Sequence, residues 1–187
     1  MDERKWIERI LAGDTQSFSC LVAKYEKMAY TIALRILENR EEAEEAVQDA
    51  FVKMYRALSD FNFDSKFSTW FYRIVYRTAL TALRQQRMFV SYEEAGPVDL
   101  SNDEVESATA LLEREDRKEM IARTLKKLPA DEALLLTLYY LEECSVEEIC
   151  QITELSASNV KVKLFRGRKR FYEVLQDKMK LETADLL

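Results

Sequence analysis

Ser145-Val-Glu-Glu-Ile-Cys-Gln-Ile-Thr-Glu-Leu-Ser-Ala-Ser-Asn-Val-Lys-Val-Lys-Leu-Phe-Arg-Gly-Arg-Lys-Arg-Phe171 is the stretch that decides the architecture. Ser145 and Glu148 stand three apart, as the N-cap and N3 residues of a capping box do, so a helix is predicted to begin at Val146. Val146, Ile149 and Ile152 give it one apolar stripe. A tight turn at Glu154-Leu155 follows, and Ser156 is placed to cap a further helix running to about Leu175. Two capped helices separated by three or four residues is the arithmetic of a helix-turn-helix.

The second helix of the pair has two unlike faces. Val160, Leu164, Gly167 and Phe171 face inward. Ser158, Lys161, Val162, Phe165, Arg166 and Lys169 face outward, with Asn159 and Arg170 on the flank. A Val and a Phe among cations are odd for mere solubility. They suit a helix laid in a major groove, where apolar groups meet thymine methyls and Arg meets guanine. Gly167 costs such a helix about 1 kcal/mol relative to Ala, and close packing is the expected reason.

Working outward, Leu128-Pro129 stops a preceding helix near residues 108–127, and the apolar run 133–141 forms another. Towards the N-terminus, Phe18, Leu21, Val22, Tyr25, Met28, Ala29, Ile32, Ala33 and Ile36 follow helical spacing, with Asp14 or Thr15 as the cap. Ala43, Ala46, Val47, Ala50, Phe51, Met54, Tyr55 and Leu58 repeat it in a second helix. The polar side of that helix opens with Glu41, Glu42, Glu44, Glu45 and Asp49. A loop from Phe61 to Phe67 then leads to a helix from about Thr69 to Arg87, with Ser68 as its cap. At about 100° per residue, Phe71, Val75, Ala79 and Ala82 form its buried stripe. Arg73, Arg77, Thr81 and Arg84 fall on the opposite face, with Trp70 at its edge. Cations beside an indole are what unpaired bases want, charge for phosphates and a flat ring for stacking. The competing reading keeps Trp70 in the core.

Composition agrees with helices throughout. The 187 residues hold 3 Gly and 2 Pro, too little turn chemistry for a many-stranded sheet protein. His is 0, which excludes an imidazole base, a Ser-His-Asp triad or a His-containing zinc site. Cys20, Cys144 and Cys150 are odd in number and lack metal-site spacing, so they read as small core or semi-buried residues in a reducing cytoplasm. No run has transmembrane length, and the N-terminus is charged where a signal peptide would be apolar. No catalytic, metal or cofactor site and no small-molecule substrate are expected.

The net charge of -6 hides three blocks. Residues 1–88 carry 14 basic and 13 acidic side chains, and residues 114–187 carry 14 of each. Residues 89–113 carry seven acids (Glu93, Glu94, Asp99, Asp103, Glu104, Glu106, Glu113) and no base. The two near-neutral blocks each contain a basic stretch, residues 65–92 and 155–172, which suits a polyanion better than the net charge suggests. Solvated helix faces are the plainer alternative. The segment 89–107 holds the one Gly-Pro pair and no helical periodicity, so it reads as a flexible linker. Its acids could occupy either basic helix as an intramolecular DNA mimic.

These segments, in this order, resemble the sigma-70 family. Gly13-Asp14 with Phe18, then Glu44-Glu45-Ala46-Val47-Gln48-Asp49-Ala50-Phe51, is similar to the first half of its domain 2. Phe67-Ser68-Thr69-Trp70-Phe71-Tyr72-Arg73-Ile74 is similar to the promoter-melting segment. Leu128-Pro129 and the stretch 146–171 are similar to domain 4. Two domains with nothing but an acidic linker between them resemble the extracytoplasmic function (ECF) members. Arg77, Thr81, Asn159 and Phe165 depart from the residues usual in the family and bear on promoter sequence.

The resemblance implies an all-α chain of two small helical domains joined by a flexible acidic linker: domain 2 over 1–88, linker 89–107, domain 4 over 108–187. It implies an alternative sigma factor, non-enzymatic and cytoplasmic. Glu41, Glu44, Glu45, Gln48 and Asp49 would dock on core RNA polymerase. Phe61, Asn62, Phe63, Asp64, Ser65, Lys66, Trp70, Arg73, Arg77, Thr81 and Arg84 would take the minus-10 strand of promoter DNA. Ser158, Asn159, Lys161, Val162, Phe165, Arg166, Lys169 and Arg170 would read the minus-35 duplex. An anti-sigma factor, itself soluble or membrane-bound, is a further implied partner, and no direct membrane insertion is expected. The alternative, a helix-turn-helix repressor or activator acting without polymerase docking, explains residues 128–175 and leaves the 67–74 segment and the acidic helix without a task. A purely helical protein binding acidic partners would show no salt-steep DNA binding.

Overall fold

The structure, a computed structural model, describes residues 3–90 and 112–184, and the side chains of 3–86 and 119–177. Among the described residues all regular structure is helical: α1 (Glu3–Leu11), α2 (Gln16–Leu37), α3 (Arg40–Arg56), a 3-10 turn (Leu58–Asp60), α4 (Phe67–Val90), α5 (Leu112–Lys126), α6 (Ala130–Tyr140), α7 (Val146–Thr153) and α8 (Ala157–Ala184). The acidic helix and, from Phe67 and Ala157 onward, the described parts of both basic stretches therefore lie on helices, as their periodicity predicts. The linker expectations, including the DNA-mimic reading, fall mainly on residues 91–111, outside the described residues.

In the N-terminal body α2, α3 and α4 pack pairwise on one another. The seam is built from Leu21, Ala29, Ile32 and Ala33, from Ala43, Ala46, Ala50 and Met54, and from Phe71, Val75 and Ala79, all buried. Six of these are alanines, whose small side chains let the helix backbones approach closely. Burying such side chains contributes about 1.5–3 kcal/mol for each large one. Helix α1 has no counterpart in the periodicity reading. It folds Ile7 and Ile10 against α2. Gly13, at φ +98, makes the turn between them, a backbone state that other residues adopt at a cost.

One local alternative is decided and two local expectations are corrected. Asp14, not Thr15, serves the start of α2, accepting from the Gln16 N–H at 3.0 Å and the Ser17 hydroxyl at 2.9 Å. Helix α4 begins at Phe67, because the Lys66 carbonyl already accepts the Trp70 N–H at 3.1 Å, so Ser68 lies inside the first turn rather than capping it. Cys20 is exposed on α2, whereas Cys144 is buried and Cys150 partly so.

The C-terminal body gathers Leu125, Leu128, Leu135, Leu138, Ile149, Ile152, Val160 and Leu164 into a second core. The capping box of α7 is complete, with Glu148 N–H donating to Ser145 Oγ at 3.1 Å and Ser145 N–H to Glu148 Oε2 at 2.8 Å. Glu154 ends α7 at φ 62, and Ser156 Oγ accepts the Asn159 N–H at 3.3 Å to start α8. Gly167 is explained here. A Cβ on it would lie 3.2 Å from Leu136 Cδ1 and 3.3 Å from Glu132 Cβ, so its absence sets the approach of α8 to α6. The two bodies also touch, α7 against α4 and α6 against α2.

Candidate nucleic-acid interface

Three surfaces carry the residues singled out in the sequence. On α3, Glu41, Glu44, Glu45, Gln48 and Asp49 are all exposed, while Glu42 turns towards α4 and accepts from Gln86 Nε2 at 2.9 Å. Asn39 caps this helix by accepting the Glu42 N–H at 3.2 Å. The result is one acidic edge with Ala43, Ala46, Val47 and Ala50 buried behind it.

The second surface is the loop 61–66 with the first turns of α4. Its aromatic rings form a chain: Phe61 lies 4.7 Å from Phe63 and 5.1 Å from Trp70, and Trp70 lies 5.6 Å from Phe67, centroid to centroid. Phe61 is only 6% exposed and forms the floor of this platform. Phe63 is 40% exposed and holds φ 64, a backbone state uncommon for a bulky side chain. Such outliers gather at functional sites. Arg4, on α1, stands 4.8 Å above the Phe63 ring, so the missed helix supplies a cation to the platform. Trp70 is half-buried, between the two readings its position allowed. Asn62, Asp64, Lys66, Arg77, Thr81 and Arg84 are exposed, and Ser65 and Arg73 are partly so.

Lys66 and Arg77 already have partners. Lys66 Nζ lies 2.9 Å from Glu148 Oε1, which Thr69 Oγ1 also approaches at 3.4 Å. Arg77 Nε donates to Glu154 Oε1 at 2.8 Å. Tyr72, buried within α4, donates its hydroxyl to Glu142 Oε2 at 2.7 Å. Burial and that carboxylate push the Tyr72 phenol up. Burial would raise the Glu148 carboxyl, but the Ser145 N–H and the Lys66 ammonium outweigh it and hold it low.

The third surface is α8. Ser158, Asn159, Lys161, Val162, Phe165, Arg166, Lys169 and Arg170 are all exposed, Phe165 by 66%. The opposite face holds Val160 and Leu164 in the core, as the spacing predicts. Two acids at the start of α6 brace this helix: Asp131 pairs with Lys163, and Glu132 Oε2 lies 3.3 Å from Arg170 Nη1. The latter contact is an ion pair whose geometry falls short of a hydrogen bond. Arg170 thus leans towards the body, while Arg166 stays outward. The Cys144 thiol, pushed by burial and nearby carboxylates up to about 11, is a packed group rather than a nucleophile. Among the described residues no cluster of three or more metal-ligating side chains occurs, and no helix is long and apolar enough to cross a membrane.

Residues 21–88 match the family model for Sigma-70 region 2, and residues 118–171 match that for Sigma-70, region 4. The chain is 32% identical over 181 residues to the RNA polymerase sigma-H factor of Pseudomonas aeruginosa, spanning 93% of this chain and 94% of that protein. It is 31% identical over 170 residues to the ECF RNA polymerase sigma-E factor of Escherichia coli K12, covering 87% and 88%. Its fold matches that of the sigma factor RpoE of Bartonella quintana, solved with the anti-sigma factor NepR, with TM-score 0.70 and 18% identity over 87% of this chain and 98% of that one. With both family regions present in order, and with relatives this similar along nearly their whole length, the chain belongs to the sigma-70 family, within its extracytoplasmic function (ECF) group.

Proposed function

We propose that this chain binds core RNA polymerase in the cytoplasm, directs it to specific promoters and helps melt the minus-10 element. The observation that carries the reading is two DNA surfaces of different chemistry on one chain. The aromatic platform of Phe63 and Trp70 with Lys66, Arg73, Arg77 and Arg84 suits unpaired bases. The exposed Val162, Phe165, Arg166 and Lys169 of α8 suit a duplex groove. The acidic edge of α3 is the surface assigned to polymerase. The protein acts as an initiation factor without catalysis of its own, RNA synthesis remaining with the polymerase. An anti-sigma factor is a further proposed partner, on the likeness to a sigma factor crystallised with one. A repressor acting alone would use only α7 and α8. Run-off transcription with core polymerase, from the promoter upstream of this protein's own gene, tests the reading. A defined transcript that depends on the added protein is expected, and its absence at every promoter tried would sink the assignment.

A further inference from the structure

Phe63 lies in the loop between the 3-10 turn and α4, in a left-handed backbone state uncommon for so bulky a side chain. Such a state lasts only where the surroundings hold it. Three contacts do so here. The Asn62 side-chain amide donates to the Asp64 carboxylate, bridging the backbone across Phe63. The ring of Phe61, itself buried, lies 4.7 Å from that of Phe63 at an angle of 55°. The third contact comes from another element, the Arg4 guanidinium standing 4.8 Å over the Phe63 ring. Helix α1 packs against the 3-10 turn that opens the loop, which brings Arg4 to this place. Arg4 is steadied in turn by Glu8, about one turn along α1, whose Oε1 accepts its Nε–H at 3.1 Å. A chain of contacts thus runs from the face of α1 to an exposed ring on the melting surface.

We propose that Arg4 is a positioning residue for minus-10 recognition: it holds the Phe63 ring in its outward pose, so that the loop offers one unpaired base a preset stacking surface. The inference rests on the reading of the 61–66 loop as part of the minus-10 surface. Asn62 and Asp64 fix the backbone, and Phe61 supports the ring from the core side. Arg4 supplies the contact that a cation makes with an aromatic face, which orients the ring as well as attracting it. A ring that must first be ordered gives up part of its binding energy, and a preset one does not. Helix α1 then takes part in base preference through a loop residue and without contact to the base.

The test uses the full chain bound to core RNA polymerase, as wild type, Arg4→Ala, Arg4→Lys, Phe63→Ala and the Arg4→Ala/Phe63→Ala pair. Open-complex formation is measured on the promoter of the protein's own gene, varied one base at a time through the minus-10 element. Arg4→Ala should lower the preference at one position about two- to fivefold, the size of an exposed cation–π contact. The slope of log affinity against log salt should stay at the wild-type value. Arg4→Lys keeps a cation that can lie over the ring and should restore most of the preference. In the Phe63→Ala background Arg4→Ala should change nothing further, because the partner through which it acts is gone. Thermal melts set a working temperature at which every variant is folded. A uniform loss at all promoters, with a salt slope shallower by about 1, would make Arg4 a phosphate contact and overturn the proposal. Unchanged preference in Arg4→Ala would overturn it too, as would losses that simply add in the paired variant. Wild type that opens no promoter refutes the sigma reading itself. Normal opening by wild type with unaltered preference in Phe63→Ala refutes the role of the loop ring, and that of Arg4 with it.

Discussion

Arg166 and Arg170 are four residues apart on one helix, and the structure gives them different surroundings. Arg166 is exposed with its guanidinium free to meet a base edge, whereas Arg170 leans on Glu132, whose side chain is 7% exposed. Arg166→Ala should cost about 1–3 kcal/mol of promoter binding and relax preference at one minus-35 position. Arg170→Ala should instead lower stability by about 1–3 kcal/mol, because it leaves a buried carboxylate uncompensated. Promoter-variant binding beside urea unfolding separates the two, and equal loss of base preference in both would remove the distinction. The outward placement of Arg166 was legible from spacing alone. The attachment of Arg170 was not, since Glu132 lies in a different helix and nothing in local periodicity links the two. Gly167 shows the same limit. Its cost to the helix is evident in sequence, but the neighbours that require it, Leu136 and Glu132, emerge only from packing.

Helices α3 and α4 were the most readable elements, because their apolar positions are dense and their polar faces uniform. Glu45 and Asp49 share an exposed edge of α3, so reversing both charges should weaken core-polymerase binding about tenfold or more and leave the thermal melt nearly unchanged. A native gel with core enzyme reads the first, and wild-type affinity in that variant would remove the docking role. Trp70→Ala in α4 touches two functions at once, since the indole is half-buried against Phe61 and Phe67. It should lower stability modestly and reduce open-complex formation by an amount set by stacking, about 1–3 kcal/mol per base. Permanganate footprinting at a temperature where the variant is fully folded isolates the second effect. Helix α1 escaped the reading because nine residues offer only Trp6, Ile7, Ile10 and Leu11, too short a pattern to separate from a charged tail. The start of α4 was misplaced by a turn's fraction, Ser68 being a good cap by type while Lys66 already offered its carbonyl.

At the scale of the molecule, depressed carboxyls sit at joints. Asp14 is held low by the Ser17 hydroxyl at the α1–α2 turn. Asp131 is held low where α6 meets α8, Lys163 and local N–H groups outweighing its burial. Glu148 is held low where α7 meets α4. A carboxyl with a folded pKa below its unfolded one contributes stability above the unfolded value and loses it as pH falls through the folded one. Thermal stability should therefore be level above about pH 5 and fall steadily below about pH 4. Melts from neutral pH downward check this, and Glu148→Gln should flatten part of the acid limb. The two-body plan was legible in the charge blocks and the Leu128-Pro129 stop. The contact between the bodies was not, because polar pairs separated by seventy residues or more leave no periodic trace.

Glu148 divides its two oxygens: Oε2 receives the Ser145 N–H, and Oε1 receives Lys66 and Thr69. Separation of the bodies exchanges partners at Oε1 for water and leaves the capping oxygen in place, so no helix has to unravel. The kinetic consequence is a low barrier. Domain motions of this kind run in microseconds to milliseconds, whereas a protein at about micromolar concentration meets its partner about 0.1–10 times per second. Opening and closing would then equilibrate many times between encounters. A partner that needs the two bodies apart would meet their contact as a reduced fraction of competent molecules, and not as a delay.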